Sequence, residues 1–111
     1  MDDALRARIR ASFDAAVNMS AEEIEAWLEG EESRRVGFVR AGETESVGRQ
    51  AGRETARILR LAEPEPGDAD YRHMRCVAGF VKRHRAQEPA NIVTSRWRWS
   101  LMNWGHDPLR D

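Results

Sequence analysis

Among the residue types in this chain of 111 residues, arginine is the one most suited to specific polar contacts with a ligand. Of the 18 basic residues, only Lys82 is a lysine. The planar guanidinium forms bidentate contacts with phosphate or carboxylate groups. Arginines recur at three- and four-residue spacing in two segments, so each set would line one face of a helix. The two rows are Arg49, Arg53, Arg57 and Arg60, and then Arg72, Arg75 and Arg83.

A second cationic feature lies near the end of the chain, where residues 96–99 read Arg-Trp-Arg-Trp and three of the four tryptophans fall within eight positions. Arginine on phosphate combined with aromatic stacking is how many proteins hold nucleic acid without reading bases. Arg96, Arg98 and Trp99 therefore join the candidate nucleic-acid contacts. The other three tryptophans are predicted to belong to the core.

These features favour a small DNA-binding protein that contacts mainly the phosphate backbone. No base-reading signature is present, so we expect weak sequence preference. Two simpler interpretations stay open: the rows are ordinary solvated helix faces, and a GC-rich genome produces the same arginine bias without functional meaning.

A protein-protein interaction module or obligate oligomer is the alternative function. Gly48, Gly52 and Ala56 recur at four-residue spacing, which indicates close approach by another helix or a ligand backbone. The last predicted helix is apolar on two sides, which is typical of a helix that is sandwiched or offers one face to a partner.

The charge is unevenly distributed although the net charge is only −1. Residues 1–45 carry a balance of −5 and residues 63–70 one of −4. Residues 46–62 carry +3 and residues 71–111 carry +5. Local basic faces can meet a phosphate backbone even when the mean charge is near zero.

Residues for catalysis or metal binding are few. The histidines, His73, His84 and His106, do not form a pair at the four-residue spacing of a helical zinc site. Cys76, the single cysteine, lies in an apolar stretch and is predicted to be a small core residue. We expect no enzymatic activity, no cofactor, no metal and no small-molecule substrate.

No apolar run approaches the roughly 20 residues that span a bilayer, and no signal peptide opens the chain. We therefore expect a cytoplasmic protein without a membrane partner. The length is typical of one domain, predicted here to cover residues 1–111.

Apolar periodicity predicts an all-α domain of about five helices. The irregular part is predicted over residues 31–45, after the second helix, with one helical turn near its start. The predicted helices span 3–17, 21–29, 47–62, about 68–86 and about 91–104. Asp68 or Asp70 is expected to cap the fourth helix.

The start of the second helix has the strongest local signal. Ser20 and Glu23 have the spacing of a capping box, and Met19 with Ile24 that of a hydrophobic staple. The link between the first two helices is short, which predicts an αα-hairpin.

Several segments together resemble a known family, and they cover nearly the whole chain. They are Asn18-Met19-Ser20, Trp27-Leu28, Glu45-Ser46-Val47-Gly48, Gly52-Arg53, Tyr71-Arg72-His73-Met74, and Ser95 through Pro108. The chain resembles the uncharacterised family catalogued as domain of unknown function 3140. Some members of that family are labelled DNA-binding, so the resemblance implies the same expectation here. It implies no catalytic or ligand residues.

Overall fold

A computed structural model describes residues 1–61 and 65–110. Its helices confirm the predicted all-α class, and the described residues contain no strand. In chain order the helices are α1 (Asp3–Ala16), α2 (Ala21–Leu28), α3 (Glu31–Arg34), α4 (Val47–Leu59), α5 (Asp68–Arg85) and α6 (Arg96–Asn103).

Local side-chain signals account for where several helices begin. The Ser20 side chain accepts a hydrogen bond from the Glu23 backbone, and the Glu23 side chain accepts one from the Ser20 backbone, so the capping box is confirmed. Ser46 and Ser95 cap α4 and α6 by the same use of a hydroxyl oxygen. A capped first turn satisfies N–H groups that have no partner inside the helix.

Several predicted boundaries shift. The predicted turn after the second helix is the four-residue α3, which gives six described helices. The N-cap of α5 is Gly67, neither Asp68 nor Asp70, although the Asp70 carboxylate accepts from the Gly67 backbone at 3.0 Å. The last helix begins at Arg96, five residues later than expected. The predicted end of the third helix at residue 62 lies outside the described residues.

The core consists of two clusters that meet along α4 and α6. The larger one joins the inner faces of α1 and α5 to α6, with Phe13, Met74 and Leu101 fully buried. The smaller one lies under α2 and contains Ile24 and Leu28. Trp97 and Trp104 are core residues as predicted, whereas Trp27 is half-buried at the edge of the smaller cluster.

The small-residue edge of α4 is where α6 approaches most closely. A Cβ added at Gly52 would lie 2.2 Å from the backbone oxygen of Asn103, and one at Gly48 would lie 2.9 Å from Trp104 Nε1. The predicted close approach by another helix is therefore confirmed, and that helix comes from the same chain. It brings the tryptophan-rich segment against the middle of the protein.

The turn after α6 is bound to the link between α1 and α2. Gly105 has a φ of +95°, a left-handed conformation that favours glycine. Its carbonyl accepts hydrogen bonds from the backbones of Asn18 and Met19. The Asn18 amide in turn donates to the Asp107 carbonyl at 2.9 Å and accepts from the Asp107 backbone at 2.7 Å. These contacts fix the α1–α2 corner, from which α1 packs on α5 and α2 on α4, so the predicted αα-hairpin does not form.

Within the part of the chain that the structure describes, no helix has the length and apolarity needed to cross a membrane.

Candidate nucleic-acid interface

Arg49, the first member of the α4 arginine row, points into the protein and not to solvent. Its guanidinium donates to the Leu28 carbonyl at 2.6 Å and to the Ser33 hydroxyl at 2.7 Å. A salt bridge of 3.1 Å joins it to Glu45. With only 6% of the residue exposed, Arg49 is a structural cation that links α2, α3 and α4.

Asn103 completes this buried polar network. Its side-chain oxygen accepts from Trp27 Nε1 at 2.8 Å and from the Ser33 hydroxyl at 2.6 Å, and its amide donates to the Ser33 carbonyl at 3.1 Å. Asn103 is 1% exposed, so nearly all of its hydrogen-bonding capacity is used inside the protein. The network therefore contributes to packing and leaves little capacity for a ligand.

The other members of the α4 row are about half exposed, but each is paired with carboxylates. Arg53 makes a bidentate contact with Glu45, at 3.0 Å from Nε and 2.7 Å from Nη2. This hydrogen bond lowers the pKa of Glu45 and raises that of Arg53. Such pairs keep both groups charged and cancel most of their field at a distance.

Arg57 and Arg60 are neutralised in the same way. Arg57 binds Glu54, 3.0 Å from its Nε, and also binds the Asp70 carboxylate on α5. Arg60 binds Glu25 on α2 and lies 3.5 Å from Glu22. These contacts raise the pKa of both arginines, chiefly through the hydrogen bonds to Glu54 and Glu25.

The arginines of the C-terminal motif also have structural partners. Arg98 forms a bidentate contact with Asp107, with both distances 3.1 Å, and donates to the Val93 carbonyl at 2.9 Å. Arg96 is exposed and donates to the Arg35 carbonyl. Trp99 is half-buried and belongs to neither core cluster.

The outer face of α5 differs from α4. It carries four exposed basic residues, and no carboxylate of the described residues lies within ion-pair distance of any of them: Arg72, Arg75, Lys82 and Arg83. Asp68, one turn before Arg72, has its carboxylate bound to Arg6 at 2.7 Å. That hydrogen bond is the main cause of the lowered Asp68 pKa. The charge of Arg72 also lowers the Asp68 pKa, but none of the four basic side chains of this face forms an ion pair with a described carboxylate.

Arg8 on α1 extends the cationic face across a groove. The groove runs between α1 and α5 and has a volume of about 720 Å³. Arg8 lines one side, and Arg75 with Lys82 lines the other. The sequence prediction does not include Arg8, because only packing of α1 against α5 brings it beside the second row.

The histidines occupy supporting positions. His106 is buried, with Nδ1 2.6 Å from the Ala16 carbonyl and Nε2 3.2 Å from Arg85. His73 Nε2 lies 3.1 Å from the Thr55 hydroxyl. Burial is the main cause of the lowered pKa of both histidines.

Cys76 is exposed, so the prediction of a core cysteine is wrong. It lies between the buried stripe and the basic face of α5, where the helix already meets solvent. Over residues 1–61 and 65–110 no group of three or more histidines, cysteines and acids is arranged to hold a metal ion.

Together these features define a small all-α protein in which the tryptophan-rich segment is built into the interior and one helix presents unbalanced positive charge. Residues 12–102 match the model of a family described as Protein of unknown function (DUF3140), and the chain belongs to that family. The resemblance inferred from its motifs is therefore confirmed. No curated protein and no solved structure matches the chain.

Proposed function

We propose that the protein binds duplex DNA through phosphate contacts made by the outer face of α5, with Arg8 of α1 beside it. The observation that carries this proposal is the contrast between the two arginine rows. The α4 row is paired with carboxylates, whereas the α5 face has no carboxylate partner among the described residues. Unpaired guanidinium groups are the ones available to phosphate.

The dimensions of the α5 face suit a duplex backbone. Arg72 and Arg83 are eleven positions apart, which corresponds to about 16 Å along a helix axis. Along that length each strand of the duplex carries about five phosphates. We therefore expect the four basic side chains of α5, with Arg8 beside them, to make four or five phosphate contacts.

Contacts of this kind fix position but carry no sequence information. We therefore propose weak sequence preference and dissociation constants in the range of non-specific binding, about 10⁻⁴–10⁻⁶ M at physiological salt. The role is a binding role without catalysis, in the cytoplasm. Arg49 and Arg98 take no part in it, because Arg49 is buried and the Arg98 guanidinium is bound to the Asp107 carboxylate.

The proposal is tested by titrating a labelled duplex with the protein at several salt concentrations and following fluorescence anisotropy. Four or five phosphate contacts give a log–log slope of about −4, since each contributes about −0.9. Arg72→Gln and Arg83→Gln should each reduce the magnitude of the slope by about 0.9, the contribution of one phosphate contact. Arg60→Gln is the matched control, because Arg60 is bound to Glu25 and should leave the slope unchanged.

Two results would contradict the proposal. The first is no binding even at low salt. The second is a reduction of the salt slope in the Arg60→Gln control equal to that in the α5 variants. That result would mean that affinity depends on the total charge of the protein and not on the α5 face.

A further inference from the structure

Gly79 lies in the middle of α5, where glycine is less favourable than any residue except proline. The fold explains Gly48 and Gly52, since a Cβ at either would meet α6. Gly79 has no such neighbour. The three atoms nearest to a Cβ added there all belong to the Arg83 guanidinium, at 3.0–3.9 Å, and that side chain is flexible and exposed. Contacts within the chain therefore do not require this glycine.

Gly79 lies in the lining of the α1–α5 groove. The apolar floor of the groove is formed by Leu5, Ile9 and Val81, and small residues surround it. These are Ser12, Ala15, Ala16 and Ala78. Small residues beside Gly79 allow another backbone to approach closely at this part of the groove, which is the usual reason for a conformationally costly glycine.

The rim of the groove is cationic. Arg8 lies on the α1 side, and Arg75 and Lys82 lie on the α5 side. None of the three has a carboxylate within ion-pair distance in the described part of the chain. Charge complementarity therefore selects an occupant with an apolar stripe and carboxylates along both edges of that stripe.

We propose that this groove binds an amphipathic helix of another protein, with a leucine-type apolar stripe flanked by aspartate or glutamate. Arg75 and Lys82 are seven positions apart, or about 10 Å along α5, which is two helical turns. This two-turn spacing equals the distance between residues i and i+7 of a bound helix, which with i+3 and i+4 are the positions by which helices bind grooves. The groove is open along its length, whereas small-molecule sites enclose most of their ligand.

A second copy of the chain fits less well. The acidic helix α2 has its apolar residues Ile24 and Leu28 buried, and its Glu25 is already bound to Arg60. Within the residues that the structure describes, no exposed helix combines a free acidic edge with an apolar stripe. The occupant is therefore a different protein.

The proposal goes beyond DNA binding but shares two residues with it. Arg75 and Lys82 belong both to the groove rim and to the outer face of α5. An acidic helix seated in the groove would cover these cations, so helix and duplex compete for the protein. Arg72 belongs to the face alone, and Ala15 belongs to the groove alone, which allows the two activities to be tested separately.

The probe is a fluorescein-labelled synthetic helix of about 18 residues, or five turns, with leucine at i, i+3, i+4 and i+7 and glutamate on both flanks. A matched peptide carries lysine in place of every glutamate. We expect the glutamate peptide to bind at least about tenfold more tightly than the lysine peptide, a difference of about 1.4 kcal/mol. Equal binding of the two, or no binding of either, overturns the proposal.

Two exposed alanines on α1 provide the matched variants. Ala15→Gln places a long side chain in the groove and should weaken binding of the glutamate peptide about tenfold, whereas Ala11→Gln lies outside the lining and should not. Equal affinity of the two variants would show that the peptide binds elsewhere and would refute the groove.

The DNA titration separates this proposal from the proposed function. Ala15→Gln should leave the salt slope of duplex binding unchanged, and Arg72→Gln should lower that slope without affecting the peptide. Peptide binding without duplex binding would refute the DNA-binding proposal and support the groove proposal. Duplex binding without peptide binding would refute the groove proposal and support DNA binding. Displacement of the peptide by duplex is expected if both hold, and simultaneous binding would contradict the competition.

Discussion

Two glycines, each in the middle of a helix, should respond in opposite directions to the same substitution. Gly52 lies on α4 and Gly79 on α5. Replacing glycine by alanine within a helix gains about 1 kcal/mol when nothing obstructs the new methyl group. At Gly79 the methyl would meet only the mobile Arg83 side chain. We therefore expect Gly79→Ala to stabilise the protein by about 0.5–1 kcal/mol.

At Gly52 the methyl would lie 2.2 Å from the backbone oxygen of Asn103, whereas ordinary contact begins at 3.4 Å. The two helices would have to separate by more than 1 Å, and the oxygen belongs to backbone that cannot rotate away. Overpacking costs about 1–3 kcal/mol, and contact with a fixed backbone atom places this substitution at the upper end, about 2–3 kcal/mol. Since the helical gain is about 1 kcal/mol, we expect Gly52→Ala to destabilise the protein by about 1–2 kcal/mol.

Urea unfolding followed by far-UV circular dichroism measures the stability of both variants. Their stabilities are compared through the urea concentration at the midpoint of unfolding, with the slope of free energy against urea concentration held constant. The free energies of unfolding should differ by about 2–3 kcal/mol, which corresponds to a difference of roughly 10 °C in Tm for a domain of this size. A Gly52→Ala variant as stable as Gly79→Ala would refute the close packing of α4 on α6, and with it the structural role assigned to the terminal motif.

Asn103→Ala removes the acceptor of the buried network, leaves the Trp27 indole without its partner, and should cost about 2–4 kcal/mol in the free energy of unfolding. The same change at the exposed Asn91 should alter it by less than about 0.5 kcal/mol, and equal effects would contradict the network. All three histidines have pKa values lowered mainly by burial, so the unfolded chain binds more protons and stability should fall as the pH drops below 6.5. His106→Gln should flatten that decline between about pH 6.5 and 5, above the range in which carboxylates titrate, and an unchanged profile would show that His106 does not contribute. Cys76 is exposed, so the native protein should react with a thiol reagent at the rate of the urea-unfolded chain, and strong protection would place it in the core.

Features that depend on neighbours in sequence could be predicted well. The capping box of Ser20 and Glu23 needs only residues three positions apart, and it forms as expected. The glycine edge of α4 is equally local, since Gly48 and Gly52 share a face through helix geometry alone. Their spacing indicated a close approach, although it could not indicate that α6 would be the neighbour.

Features that depend on distant carboxylates could not be predicted. Arg60 and Glu25 are 35 positions apart, and Arg57 and Asp70 are 13 apart. Helical spacing placed these arginines on one face but gave no information about which acids the fold would bring to them. The α4 row differs from the α5 face partly through nearby acids, such as Glu54 beside Arg57, and partly through these distant ones.

Arg49 shows the same limitation more strongly. A charged residue on the polar side of a helix is normally solvated, and its spacing grouped it with Arg53. The interior position depends on a carbonyl of α2, a hydroxyl of α3 and the Glu45 carboxylate converging around one guanidinium. Burial of a charge requires such a set of partners, and only the folded chain reveals it.

The hydrogen bonds that close the α1–α2 corner and the α3–α6 contact join residues 70 to 90 positions apart in the chain. During translation the two partners of each of these bonds are therefore synthesised at different times. At a synthesis rate of about 5–20 residues per second, the α1–α2 corner waits several seconds for the segment that closes it. Contacts that need α6 therefore form last, whereas the packing of α2 on α4 needs no residue beyond Leu59.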